Sequence, residues 1–134
     1  MDTEFKITVE HAPARVPVTV FHLEGRLGPP AADALEERAR QAHAAGTRYL
    51  LLDFKAVDFV TSAGLRAVLA IYKLLTPAED MAALMRPPSG DPRKSPYLHL
   101  ADLSPEVYYI FNIAGFLNNI AIYTDSAQAL QAFG

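Results

Sequence analysis

Val57-Asp58-Phe59-Val60-Thr61-Ser62-Ala63-Gly64-Leu65 changes character halfway along. Two hydroxyl residues, the type that caps helices, follow a mainly apolar lead-in. From Leu65 onward the apolar residues Leu65, Val68, Leu69, Tyr72 and Leu75 recur at spacings of three and four, the period of one helix face. Thr76-Pro77 ends that pattern, because proline can neither donate to nor fit inside a continuing helix. A helix starting near Thr61-Ser62 directly after an extended run belongs to a β-α unit, and such units build layered α/β domains.

The flanking sequence continues the alternation. Upstream, Tyr49-Leu50-Leu51-Leu52 has no polar alternation, as expected of a strand covered on both faces of a parallel sheet, and Asp53 is expected to close it. Ala31 to Ala45 is rich in helix formers, follows Gly28-Pro29-Pro30 with Pro30 at the first helical position, and stops at Gly46. Its apolar stripe of Leu35, Ala39 and Ala42 is thin, so it should lie on the surface. Residues 5–9 and Val16 to Leu23 carry β-branched and aromatic side chains and read as paired strands.

Downstream, Tyr97 to Leu100 reads as a strand. Ser104-Pro105-Glu106 combines a capping hydroxyl, a first-position proline and an acid in the first turn. Val107, Ile110, Phe111 and Ala114 are the expected buried face of that helix, with Gly115 its stop. Ile120 to Tyr123 then leads into Asp125-Ser126-Ala127-Gln128, a capping-box variant opening a helix with Leu130 and Phe133 inward. The expected order is β-β-α-β-α-β-α-β-α: one α/β domain over residues 1–134, a mixed β-sheet with about four helices packed on it. Residues 77–96 interrupt the rhythm, since five of the ten prolines fall there with Ser89-Gly90. They are expected to form a surface insertion, made locally basic by Arg86, Arg93 and Lys94, with a helical turn or two over Ala78 to Met85.

Composition excludes several function classes. The chain has 134 residues, 51% of them apolar and 20% charged, with a net charge of -3. That suits one compact domain and supplies no overall positive field for a nucleic acid. Cysteine is absent, which removes disulfide frameworks and thiolate metal sites. Asp2 and Glu4 open the chain with no apolar stretch behind them, and no later run approaches the length of a membrane span. The expectation is a cytoplasmic protein without direct membrane insertion.

Enzyme signatures fail one by one. No phosphate-binding loop and no dinucleotide fingerprint occur, so no cofactor is expected. Ser62 lies at a strand-to-helix turn like a hydrolase nucleophile, but Val60 replaces the first glycine of that elbow and His99 would have to serve as base. The histidines at 11, 22, 43 and 99 have no metal-ligand spacing and read as surface or strand-filling residues, so no metal site is expected. Asp53 stands where a phosphorylated receiver aspartate would, without the acidic cluster or late lysine that chemistry requires. The chain is not expected to be an enzyme.

The motif quoted first resembles the signature of the STAS domain family, the fold of bacterial anti-sigma factor antagonists, and two further blocks support the likeness. Leu23-Glu24-Gly25-Arg26-Leu27 is similar to the family's turn before its first helix, and Leu100 to Phe116 to its strand-Ser-Pro-helix block. The resemblance spans nearly the whole chain. It implies that Ser62 is the residue phosphorylated by a serine kinase that is also the anti-sigma factor, and dephosphorylated by a phosphatase. Thr61 stands where the best-known antagonists have aspartate, a departure from what the usual kinase recognises, and it adds a second hydroxyl. Since some stress-signalling relatives carry threonine phosphosites near this turn, the resemblance makes Thr61 the second candidate acceptor. The insertion at 77–96 is a further departure from the usual short connection.

Physical reasoning accommodates a phosphate at the same place, because free N-H groups and the dipole at a helix start stabilise an added anion. Spacing alone favours Thr61 and Ser62 as plain helix caps, and it is the resemblance that turns the reading towards a phosphorylation site. The expected function is a non-catalytic, partner-switching interaction module. Its partner surface comprises Gly25, Arg26, Leu27, Thr61, Ser62, Ala63, Gly64 and Leu65, and ATP belongs to the kinase partner. A STAS subunit of a lipid-trafficking ABC-type transport complex and a ligand-sensing STAS protein are the alternatives.

Overall fold

The structure, a computed structural model, describes residues 5–85, 94–115 and 119–134. Five strands and five helices alternate in the order β1 (Lys6–Pro13), β2 (Pro17–Leu27), α1 (Pro29–Ala44), β3 (Leu50–Val60), α2 (Ser62–Leu75), α3 (Ala78–Met85), β4 (Leu98–Ala101), α4 (Pro105–Ile113), β5 (Ala121–Tyr123) and α5 (Ser126–Gln131). The sheet order is β1-β2-β3-β4-β5. β1 runs antiparallel to β2, and every later neighbour pairs parallel. The sheet is therefore mixed, as the sequence implies.

Each parallel strand adds to the same side of its predecessor, so right-handed crossovers all pass over one face. That face carries the main core, where Leu35 of α1, Val68 and Ile71 of α2 and Phe111 of α4 meet Phe21, Leu52 and Phe54 of the sheet. Phe111 packs edge-on to Phe54 with centroids 5.7 Å apart. The other face has a smaller core of Val18, Val20, Leu51 and Ala101 beneath Ala129 and Phe133 at the C-terminal helix. α5 shields only the part of that face nearest its own contacts, and the polar residues Glu10, His22 and Asp53 occupy another part.

Several sequence expectations need correction. β3 does not end at Asp53: it continues to Val60, because β2 continues beside it until Leu27 pairs with Val60. Asp53 is thus a buried mid-strand residue. Ala78–Met85 forms a full helix and raises the count to five; the Tyr97 hydroxyl donates to Asp80 Oδ2 at 2.5 Å and ties α3 to the chain before β4. The proline-rich remainder, residues 86–93, lies outside the described residues. Ala114 is exposed as the C-cap of α4, so that helix buries Val107 and Phe111, with Ile110 only half-buried. Phe133 is fully buried, stacked on His99 with centroids 3.8 Å apart and edge-on to Tyr49.

Candidate functional site

The backbone carbonyl of Leu27 organises the junction of β2, β3 and α2. Thr61 donates to it twice, from its backbone N-H at 3.1 Å and from its hydroxyl at 3.1 Å. The same hydroxyl accepts from the Gly64 N-H at 3.3 Å, which makes Thr61 the N-cap of α2. One side chain therefore satisfies a free donor of the helix start and fastens that start to the end of β2.

Gly64 permits the approach. A Cβ there would stand 2.7 Å from Leu27 O, 2.8 Å from Leu27 Cγ and 2.9 Å from Val60 Cγ1. Leu27 and Gly64 are buried, so of the residues assigned to the partner surface these two support it from beneath. Gly25, Thr61, Ala63 and Leu65 are half-buried, while Arg26 and Ser62 are exposed. Gly25 has φ +112 beside an irregularity in the β2-β3 ladder, a conformation suited to glycine. Past that kink, Arg26 turns outward and places its guanidinium 4.8 Å from the centroid of the Phe59 ring.

Ser62 is the first helical residue of α2, exposed, and its hydroxyl makes no hydrogen bond to the described residues. The two candidate acceptors thus differ in chemistry: the Thr61 hydroxyl is engaged as donor and acceptor, the Ser62 hydroxyl in neither role. His99 is no base for Ser62. Its Nδ1 bonds to Ala129 O at 3.0 Å on the sheet face opposite α2, and burial pushes its pKa below the ordinary imidazole value. Among the described residues, no group of His, Asp and Glu is arranged to hold a metal ion, and no helix is long and apolar enough to cross a membrane.

Sequence reasoning missed two arrangements. Phe59 is 40% exposed, unusual for a large apolar side chain, and its pairing with Arg26 depends on strand register that the sequence does not display. The second is a chain of hydrogen bonds across three strands: His22 Nε2 meets Glu10 Oε1 at 2.7 Å, and His22 Nδ1 meets Asp53 Oδ2 at 2.7 Å. Asp53 Oδ1 accepts from the Lys55 N-H at 2.9 Å. The Glu10 hydrogen bond is the main influence raising the His22 pKa above its usual value; partial burial opposes it and Asp53 assists. The three residues lie 12 and 31 positions apart in pairs, and only the pairing of Glu10 with Val20 and of His22 with Asp53 reveals their proximity.

Comparison with known proteins agrees with this geometry. The STAS domain family matches residues 9–87. BtrV of Bordetella bronchiseptica, whose name describes an anti-sigma factor antagonist, is 31% identical over 111 residues, covering 83% of this chain and 82% of that protein. An anti-sigma factor antagonist from Mycobacterium paratuberculosis has the same fold at 21% identity, with a TM-score of 0.73 over 96% of this chain and 93% of that one. SpoIIAA of Bacillus in its phosphorylated form aligns at 18% identity with a TM-score of 0.61, covering 92% of this chain and 96% of its own. A family signature lying on the β3-α2 junction, in a sheet of the same architecture, means that this chain belongs to the STAS domain family.

Proposed function

We propose that the chain is an anti-sigma factor antagonist that acts by partner switching, without catalysis of its own, with Ser62 as its phosphorylated residue. The exposed, unengaged Ser62 hydroxyl at the first position of α2 carries this reading. A phosphate there meets the positive end of the helix dipole and unused backbone N-H groups, so the fold tolerates it. It also adds about -1.5 to -2 units of charge to a surface that a partner must desolvate. The name of BtrV and the phosphorylated form of SpoIIAA among the fold relatives support the same assignment. The partners are a serine kinase that is also the anti-sigma factor, and a phosphatase.

The test is incubation with such a kinase and ATP, followed by peptide mass mapping and binding measurements on the separated forms. One phosphate on Ser62 and at least tenfold weaker kinase binding by the modified form are expected. Label on Thr61 alone overturns the acceptor assignment. Equal affinity of both forms overturns the switch and favours a docking subunit of a transport complex.

A further inference from the structure

Among the described residues, Arg26 has an aromatic neighbour and no ion-pair partner. Its guanidinium lies over Phe59, and no carboxylate among the described residues pairs with it. Both side chains are exposed on the same side of the β2-β3 junction. Arg26 Nε and Thr61 Cγ2 each stand 3.9 Å from the point where a Cβ on Gly28 would lie. With no side chain at Gly28, Arg26 Nε and the Thr61 methyl approach the same open point, and Ser62, the residue after Thr61, is exposed. A flat ring covered by a cation without an ion-pair partner among the described residues, on the side of the junction that reaches Thr61, offers a partner an apolar anchor and a charge to neutralise.

We propose that Arg26 is the cation that reads this surface: in the unmodified protein it receives a carboxylate of the partner while Phe59 packs against an apolar side chain, and phosphate on Ser62 takes the same guanidinium for itself. The inference rests on the reading of Ser62 as the phosphorylated residue and adds the means by which phosphate acts. Guanidinium is suited to both states, since its planar donors pair with carboxylate and phosphate alike. Its attraction to an aromatic ring at an exposed site is weaker than a charge-assisted pair with phosphate. Phosphorylation therefore draws Arg26 from Phe59 towards the helix start, leaving the partner's carboxylate facing a neutralised cation and an added negative charge. The fitting partner surface carries an Asp or Glu beside an exposed aliphatic or aromatic side chain. Lysine in place of Arg26 keeps the charge and loses the planar fork.

The phosphate half can be tested without any partner or kinase by installing phosphoserine at position 62 during translation and following the ³¹P resonance against pH. In the otherwise unaltered protein the second phosphate ionisation falls below its ordinary value of about 6, and Arg26→Gln raises it towards that value. The helix dipole acts equally in both proteins, so the difference reports Arg26 alone. The Phe59 ring resonances shift on phosphorylation in the parent and stay still in Arg26→Gln. For the partner half, the unmodified Arg26→Gln protein binds the anti-sigma factor kinase about 30-fold more weakly than the parent, and Arg26→Lys falls between. Identical ³¹P titrations, or undiminished kinase binding by Arg26→Gln, overturn the proposal. The titration stands whether or not a natural kinase chooses Ser62, so its failure is distinct from failure of the switch itself. Arg26 is exposed and circular dichroism of each variant checks its fold.

Discussion

Replacing Gly64 with alanine tests the packing that places the site. The new methyl carbon meets Leu27 O at 2.7 Å, Leu27 Cγ at 2.8 Å and Val60 Cγ1 at 2.9 Å. One of these neighbours is a backbone atom of a strand, and the two others belong to buried side chains, so none moves away freely. Alanine gains up to about 1 kcal/mol in helix propensity over glycine, and less in the first turn. Overpacking costs about 1–3 kcal/mol. If α2 retreats instead, the two bonds from Thr61 to Leu27 O, each 3.1 Å, lengthen, and each contributes about 0.5–1.5 kcal/mol. The net expectation is a destabilisation of about 1–3 kcal/mol, measured by urea unfolding. For a domain of 134 residues that corresponds to a Tm lower by roughly 3–12 °C. Ser62→Ala, which removes an exposed and unbonded hydroxyl, serves as the comparison and changes stability by less than about 0.5 kcal/mol. A Gly64→Ala protein as stable as the parent, or more so, refutes the argument that close approach fixes this glycine.

Thr61→Ala removes the cap and the hydroxyl's bond to Leu27 O while keeping the backbone bond, and destabilises by about 1–2 kcal/mol in the same unfolding assay, whereas Thr61→Ser retains most of that stability. Tyr97→Phe frees Asp80 and loosens α3; about 1 kcal/mol is lost, and hydrogen exchange in α3 quickens while α2 is unchanged. Two histidines give opposite pH dependences. His22 has a folded pKa above the ordinary 6.5, so its contribution is complete below 6.5 and is lost as pH rises through the folded value. Thermal scans of His22→Gln should lack that decline. His99 has a folded pKa below 6.5, so its site destabilises the fold as pH falls from 6.5 towards the folded value; His99→Phe should lack that decline, and a parent Tm flat across both ranges contradicts both assignments.

The sequence carried the order of the strands and of four helices, and the two adjacent hydroxyls at the start of α2, because these are local; which hydroxyl is engaged depends on Leu27 O, 34 positions away. Helix starts at Ser104 and Asp125 could be read because capping needs only a side chain and an N-H three residues on, and the Ser104-Val107 and Asp125-Gln128 bonds fulfil that spacing. The end of β3 could not be read this way. Asp53 breaks an apolar run and so looks terminal, yet it is satisfied in mid-strand by His22 from β2 and by the Lys55 N-H. Its partner is distant in sequence, and so is the Phe59 that Arg26 covers. α3 was legible only as a turn or two, since what anchors it is a hydrogen bond from Tyr97, beyond the proline-rich stretch. Burial at Leu27 and Gly64 was equally hidden, because a motif aligns residues without distinguishing those that face a partner from those that hold the frame.

That distinction explains why a phosphate on Ser62, as proposed, would leave the frame intact. Were Ser62 the cap, a phosphate would displace a bond of about 1 kcal/mol, and modification would act on folding as well as binding. Thr61 takes the capping role, locked between Leu27 O and the Gly64 N-H, and leaves Ser62 one residue further, on the solvent side. An acidic group at Ser62 then gains about 0.3–1 kcal/mol from the helix dipole at an exposed site. The same charge, poorly paired within an interface, costs about 2–5 kcal/mol. The two effects have opposite signs and differ several-fold in size, so a carboxylate at position 62 should leave Tm unchanged or slightly raised while weakening the partner complex. Thr61 is therefore compatible with the switch proposed at the neighbouring serine, since it anchors α2 and would leave the charge change to Ser62.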